Sequence, residues 1–198
     1  MKNEPSDPKT AWHRLTGKGL YPPSWSWMLL LPLRNFYLSP RKLVSRLRLE
    51  SHWEVLELGC GPGYFSPCVA KHLPDGFLHL VDVQREMVQR ATKRLAKRKI
   101  TNATASQTDG KTLDFPGGKF DCIYLITVLG EIQEPELMLR ELSRVAKSNA
   151  LLSITEQGGD PDALSFTEVR NLIEPFGFSF ECLHGKSRTF TANFRKTK

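Results

Sequence analysis

The segment Val55-Leu56-Glu57-Leu58-Gly59-Cys60-Gly61-Pro62-Gly63-Tyr64-Phe65 runs from an apolar strand through a glycine-rich turn into a helix. Glycines at alternate positions permit positive φ and let the main chain approach a ligand with no Cβ in the way. In an open α/β sheet such a ligand lies beyond the carboxyl end of the strand. The same spacing also suits a plain tight β-α connection, so the turn alone names no ligand.

Outward from this turn, short apolar runs alternate with helical stretches, the signature of a parallel sheet built from β-α-β units. The pattern predicts strands at 54–58, 77–82, 103–106, 120–126 and 150–155, and helices at 64–73, 85–98 and 134–146. The helix at 85–98 puts Met87, Val88, Ala91 and Leu95 on one stripe and a basic face opposite. Upstream, Ser39 and Pro40 read as an N-cap and first helical position, opening a helix through Leu49 with Leu43, Val44 and Leu47 on one side. Downstream, a helix is predicted at 166–175, then strands at 178–183 and 188–194 paired around His184-Gly185-Lys186. The expected architecture is α/β: a mostly parallel seven-stranded sheet, helices on both faces and a C-terminal antiparallel hairpin. Residues 1–50 form an N-terminal aromatic and helical appendage, and 51–198 the main domain.

Two carboxylates follow the turn. Asp82 ends the run Phe77-Leu78-His79-Leu80-Val81, where it can accept both hydroxyls of an adenosine ribose. The alternative is an N-cap for the helix beginning at Arg85. Asp109 follows the third apolar run, beside the same crevice, positioned for an adenine amino group with the Gly110 N–H alongside; the alternative is an ordinary Asp-Gly turn. A dinucleotide fingerprint beginning at Gly59 requires glycine at position 64, which is Tyr64, and no phosphate-binding G-x-x-x-x-G-K-[ST] loop occurs. Pyrophosphate is therefore disfavoured. Glu57 adds negative charge that repels phosphate and tolerates a ligand carrying an ammonium group.

Together these residues resemble the class I S-adenosylmethionine-dependent methyltransferases, and within them the small group that includes the ubiquinone and menaquinone biosynthesis C-methyltransferases. The resemblance runs from about Trp53 to Glu156. It implies a Rossmann-like methyltransferase fold with S-adenosyl-L-methionine as cofactor. The stretch 55–63 is similar to the first family motif, which implies that Glu57, Gly59, Cys60, Gly61 and Gly63 surround the methionine part of the cofactor. Val81 to Val88 resembles the second motif, implying that Asp82 holds the ribose while Val83 and Met87 flank adenine. Thr108-Asp109-Gly110 looks like the adenine-edge motif, and Phe120 to Leu125 like the fourth strand, with Leu125 near the methionine end. Two departures stand out. The family's Lys-Pro-Gly-Gly turn is Lys147-Ser148-Asn149-Ala150 here, where Asn accepts left-handed geometry, and its common histidine after the fourth strand gives way to Gly130-Glu131.

Methyl transfer from a sulfonium depends mainly on positioning, so no obligatory catalytic residue is required. Where the acceptor must lose a proton, Glu131 is the first candidate base, against a plain surface role beside Gln133 and Glu134. Glu156, after the fifth strand, is the second. His13, His52, His72, His79 and His184 receive no role, His184 being expected in the hairpin turn. Cys60 reads as a small turn residue.

Composition bounds the remainder. The 198 residues are 40% hydrophobic and 25% charged, which describes one core-forming domain. Twenty-eight Lys and Arg against 21 Asp and Glu leave a net charge of +7, favouring anionic partners. The basic face of Arg85, Lys93, Arg94, Lys97, Arg98 and Lys99 raises RNA as a substrate, although 85–99 lacks the interleaved aromatics that RNA recognition uses. A non-catalytic, cofactor-binding partner subunit is a further alternative. Four scattered cysteines without a C-x-x-C pair suggest neither zinc nor disulfides, and no metal is expected; reduced thiols fit the cytoplasm. The longest apolar run, Trp27 to Leu33, is seven residues and contains Pro32, too short to span a bilayer, and the N-terminus lacks a secretory pattern. Tyr21 to Tyr37, with Trp25, Trp27 and Phe36, reads as a lid over the crevice, as packing on the outer helices, or as a peripheral membrane contact. The acceptor expected is small, aromatic or lipophilic.

Overall fold

A computed structural model of the protein describes residues 38–158, 160, 162–186 and 189–197. The aromatic segment Tyr21 to Tyr37, read as a lid, as packing on the outer helices or as a membrane contact, lies outside the described residues. Strands β1 (Glu54–Leu58), β2 (Phe77–Asp82), β3 (Ala103–Gln107), β4 (Phe120–Ile126) and β5 (Ala146–Glu156) run parallel. They are joined by antiparallel β6 (Phe178–Lys186) and β7 (Thr189–Lys196), in the order β3-β2-β1-β4-β5-β7-β6. Chain order reverses between β1 and β4, and this switch point opens a crevice at the carboxyl ends of the strands.

Both sheet faces are covered, which is why the strands read as nearly continuous apolar runs. Alternation sends Val55, Leu78, Cys122 and Leu151 toward α1 (Pro40–Leu47), α2 (Ser66–Ala70) and α3 (Arg85–Lys97). The intervening Leu56, Ile123, Leu152 and Ile154 face α4 (Pro135–Val145) and α5 (Phe166–Ile173). Each fully buried Leu or Ile contributes about 1.5–3 kcal/mol relative to exposure. At the start of α1, Ser39 Oγ accepts from the Lys42 amide at 3.2 Å, with Pro40 in the first turn. Leu43 and Leu47 seat this helix in the core, and Arg48 closes it in left-handed geometry at φ 48°.

Three local expectations change. The helix after the glycine turn is five residues rather than ten, because positive φ at Gly61 and Gly63 delays the first regular turn until Pro67 and Pro74 follows close behind. β5 begins at Ala146: the stretch expected as a turn is absorbed as a bulge, with Asn149 at φ 64° and Lys147 Nζ held 2.8 Å from both Asp121 carboxylate oxygens. β6 extends to Lys186, so His184 stands in the strand opposite Thr191 and not in the hairpin turn, Gly185 continuing the strand at φ 103°.

The loop between β3 and β4 is tied down from α4. Arg144 makes a two-pronged contact with Glu141, both bonds 2.7 Å, and donates to the Leu113 and Phe115 carbonyls, while Glu141 accepts from the Leu113 amide. This bracing fixes the base of the loop that carries Asp109 and Gly110. No helix among the described residues is long and apolar enough to cross a membrane.

Candidate functional site

Gly59, Gly61 and Gly63 all take positive φ, at 68°, 52° and 72°. A side chain at Gly59 would overlap Val128, and one at Gly63 would press on the α3 backbone, its Cβ 3.1 Å from Ala91 Cα. At Gly61 a Cβ would meet nothing within 4 Å, because this residue faces the open crevice. The turn is pinned from below: the Gly59 and Cys60 amides both donate to the Val81 carbonyl, at 2.9 and 3.1 Å, and Arg94 Nε donates to the Pro62 carbonyl at 3.1 Å. One cation of the basic α3 face therefore serves the turn.

Asp82 links this turn to the next strand. One carboxylate oxygen accepts from the Gly61 amide at 2.8 Å and the other from the Gln84 amide at 2.9 Å. The helix-capping alternative is not realised, since the α3 N-cap position is Gln84. Burial pushes the Asp82 carboxyl up, against the pull of the Gln84, Gly61 and Val83 amides. Glu57, 4% exposed, accepts from Ser66 Oγ at 2.5 Å; burial raises its pKa to about 7, Ser66 opposing and the Asp82 charge reinforcing the rise. Burial also holds the Cys60 thiol well above its ordinary value, as suits a packing residue rather than a nucleophile.

Asp109 turns back on its own loop, accepting from the Lys111 and Thr112 amides at 2.8 Å each and from Thr112 Oγ1 at 3.1 Å. These bonds lower its pKa and form the turn that shapes the crevice edge. Gly110, at φ 78°, lets this edge settle against Val83. Lys111 then reaches across to Glu134 at 2.6 Å, joining the loop after β3 to the segment after β4.

The resulting cavity is about 280 Å³. Of the residues singled out from sequence, Glu57, Gly59, Cys60, Gly61, Asp82, Val83, Met87, Asp109, Gly110 and Glu131 line it. Gly63 and Leu125 do not: Gly63 packs against α3, and the two-residue period of β4 turns Leu125 into the core facing α4 and α5, leaving Ile126 to form the wall. Sequence reading missed Tyr64, Lys111, Val128, Glu134 and Asp160, all of which line the crevice. Asp160 follows the fifth strand within Gly158-Gly159-Asp160-Pro161-Asp162, and its place at the carboxyl end of a strand was the available signal.

Glu131 ends a 3₁₀ turn, Leu129–Glu131, directly after β4. Glu156 is 1% exposed, and its pKa is raised to about 8 by burial, then by the charges of Asp160 and Glu131. Gly130 has a steric reason, because any Cβ there would overlap the Asp162 carbonyl. Gly130→Ala therefore forces the 160–163 loop outward and costs about 1–3 kcal/mol of stability, read from urea unfolding. Unchanged stability would mean that the loop yields freely. Among the described residues no group of three or more His, Cys, Asp or Glu is placed to hold a metal ion.

A protein-family profile described as a methyltransferase domain matches residues 49–174. The chain is 31% identical over 108 residues to an uncharacterized methyltransferase of Schizosaccharomyces pombe, covering 52% of this chain and 39% of that protein. It is 30% identical over 139 residues to trans-aconitate 2-methyltransferase of Rhodococcus jostii, covering 70% and 50%. It is 31% identical over 105 residues to the ubiquinone/menaquinone biosynthesis C-methyltransferase of Cellvibrio japonicus, covering 52% and 42%. The matched part thus spans half or less of these relatives. Among solved structures, a SAM-dependent methyltransferase from Aquifex aeolicus superposes with a TM-score of 0.84 at 26% identity, covering 90% of this chain and all of that one.

The residues present fit that cofactor: a glycine face open to the crevice at Gly61, a carboxylate at Asp82 and apolar side chains at Val83 and Met87. On the profile match, the solved fold and this donor set, the chain belongs to the methyltransferase-domain family, with S-adenosyl-L-methionine as its cofactor.

Proposed function

We propose that the chain transfers a methyl group to a small, aromatic or lipophilic acceptor. The observation that carries this reading is one crevice with two chemistries. Its β1–β3 side offers Gly61, Asp82 and Asp109, and its β4 side is walled by Ile126, Val128, Ile132 and Met138. When bound, S-adenosylmethionine supplies an electrophilic methyl group on a sulfonium. Asp82 would accept from the ribose hydroxyls and Val83 and Met87 would flank the adenine, with the turn that Asp109 closes on its own loop at the adenine edge. Glu57 faces the cationic methionine end with the Gly59, Cys60 and Gly61 backbone. Glu131, which lines the crevice, takes a proton from the acceptor where the acceptor must lose one; Glu156, buried behind the wall, does not reach it. Four free cysteines fit a reducing, cytoplasmic setting.

RNA is the second reading, favoured by a groove beside Pro62 lined by Lys93, Lys97 and Arg98. A labelled-methyl assay against cell extract separated into small molecules, lipids, RNA and protein tests both. Label is expected in the small-molecule or lipid fraction; label confined to RNA overturns the first reading in favour of the second. Binding of S-adenosylmethionine by calorimetry with label in no fraction leaves the non-catalytic partner subunit.

A further inference from the structure

Away from the buried stripe of Met87, Ala91 and Leu95, α3 carries Arg90, Lys93, Arg94 and Lys97, with Arg98 at its C-terminal cap. The spacing i, i+3, i+4, i+7, i+8 is that of an amphipathic seam, here made of charge instead of hydrocarbon. With Pro62 of the glycine turn these five cations line a groove of about 400 Å³ whose walls contain no acid. Pro62 also lines the crevice, so the groove lies just outside the cofactor turn. Lys93, Lys97 and Arg98 are exposed and Arg94 is half-buried.

A solvated helix face ordinarily interleaves acids with bases, because opposite charges three or four residues apart stabilise the helix and like charges destabilise it. α3 does the reverse. Arg90 and Arg94, Lys93 and Lys97, and Arg94 and Arg98 are like-charged i, i+4 pairs, and the single acid of the helix, Glu86, stands in its first turn. No ion pair among the described residues uses Lys93, Arg94, Lys97 or Arg98. The crowding is felt at Arg94, whose guanidinium is lowered by burial and then by the charge of Arg98. The stripe therefore costs the free chain stability, and a multivalent anion laid along it relieves that cost.

The lining discriminates among polyanions. A protein partner seals its interface with an apolar core depleted in charge, and a helix lying on a membrane inserts an apolar face. The groove offers neither, since Pro62 is its one uncharged lining residue and the apolar stripe of α3 is buried. A nucleic-acid strand needs only cations where its phosphates alone are held. Cations repeating with each helical turn give successive phosphates successive partners. The segment 85–99 has no aromatic side chain on which a base could stack.

We infer that the α3 groove is a docking site for the phosphodiester backbone of a single nucleic-acid strand, held without base readout. The inference goes beyond the reading of the crevice, because the strand is held here whether or not it carries the methyl acceptor.

Fluorescence anisotropy of the full chain with two labelled single-stranded RNAs of about 20 nucleotides, one of uridine and one of cytidine, tests this. Both are expected to bind, with affinities within about threefold of each other. Four phosphates neutralised by Lys93, Arg94, Lys97 and Arg98 give log affinity a slope of roughly −2.8 against log salt, or about 50-fold weaker binding at 200 mM than at 50 mM. Lys93→Gln, Lys97→Gln and Arg98→Gln combined should bring the slope to roughly −0.7 and weaken binding at the lower salt by at least about tenfold. Arg94 stays in place because it holds the Pro62 carbonyl. S-adenosylhomocysteine affinity, read by calorimetry, should be the same for this variant and the parent chain, which shows that the variant is folded. RNA binding that survives the triple substitution overturns the inference, as does a slope near zero or an absence of RNA binding at the lower salt. A preference of about tenfold or more for one of the two sequences overturns the backbone-only reading. Displacement of the RNA by poly-L-glutamate at equal charge, or by phosphatidylserine vesicles, also overturns it and turns the groove over to an acidic protein or an anionic membrane.

Discussion

Asp82→Ala weakens S-adenosylmethionine binding by about 100-fold, on the basis of two ribose hydroxyls each contributing roughly 1.5 kcal/mol to a charged acceptor, with every 1.4 kcal/mol a factor of ten. The same carboxylate also receives the Gly61 and Gln84 amides at 2.8 and 2.9 Å, so the substitution leaves two poorly solvated N–H groups as well. Stability therefore drops in parallel, by about 1–3 kcal/mol. Asp82→Asn separates the two effects. It keeps the side-chain volume and one acceptor oxygen, but its amide N–H₂ faces one of the two backbone N–H groups, so turn and affinity are both partly retained. Calorimetry gives the affinities and urea unfolding the stabilities. An alanine variant that folds and binds with unchanged affinity contradicts the ribose assignment.

Stability is expected to decline as pH rises from about 4.5 to about 8, the reverse of ordinary acid denaturation. Glu57 and Glu156 carry folded-state values of about 7 and about 8 against an ordinary 4.5. Between those limits the unfolded chain has lost both protons while the folded chain retains them. The folded state then binds more protons, and the stability it gains below pH 4.5 is lost as pH climbs through the two raised values. Asp82, also raised by burial, acts in the same direction. Asp109, Glu141 and Glu168 are lowered and lose their contribution as pH falls, but Asp109 and Glu168 sit in solvent and weigh little, which leaves the partly buried Glu141 as the main opposing group. At 1.36 kcal/mol per pH unit between the ordinary and the raised values, the decline amounts to at most roughly 8 kcal/mol for the two glutamates together. Denaturant midpoints at pH 5 and pH 8.5 read it directly. Glu156→Gln should raise the midpoint at the higher pH and flatten the profile; a profile that rises with pH would show that neither carboxyl is held protonated by the fold.

Much of this molecule was legible before any fold was drawn. Gly59, Gly61 and Gly63 announced a turn, the apolar alternation announced the strands, and Asp82 and Asp109 could be placed at the crevice because one ends β2 and the other follows β3 by two residues. Ser39-Pro40 marked a helix start that the structure places at the same residues. These features depend on backbone preferences and on neighbours a few positions away, so a linear reading captures them. The misread elements depend on contacts across the sheet. Leu125 faces the core because of where β4 lies between β1 and β5, and Gly130 is required by the carbonyl of Asp162, thirty-two positions later.

The acceptor end shows the division most clearly. Glu131 was visible as an acid after a strand, yet the Lys111–Glu134 bridge, the entry of Asp160 and the burial that lifts Glu156 arise only when three loops converge on one rim. Sequence alone determined the β-α order, the glycine turn and the presence of carboxylates at the strand rim, because local geometry and hydrophobic periodicity are written in adjacent residues. Tertiary structure alone decided which acids line the crevice and which are stripped of water, because desolvation and charge coupling depend on distances between segments far apart along the chain.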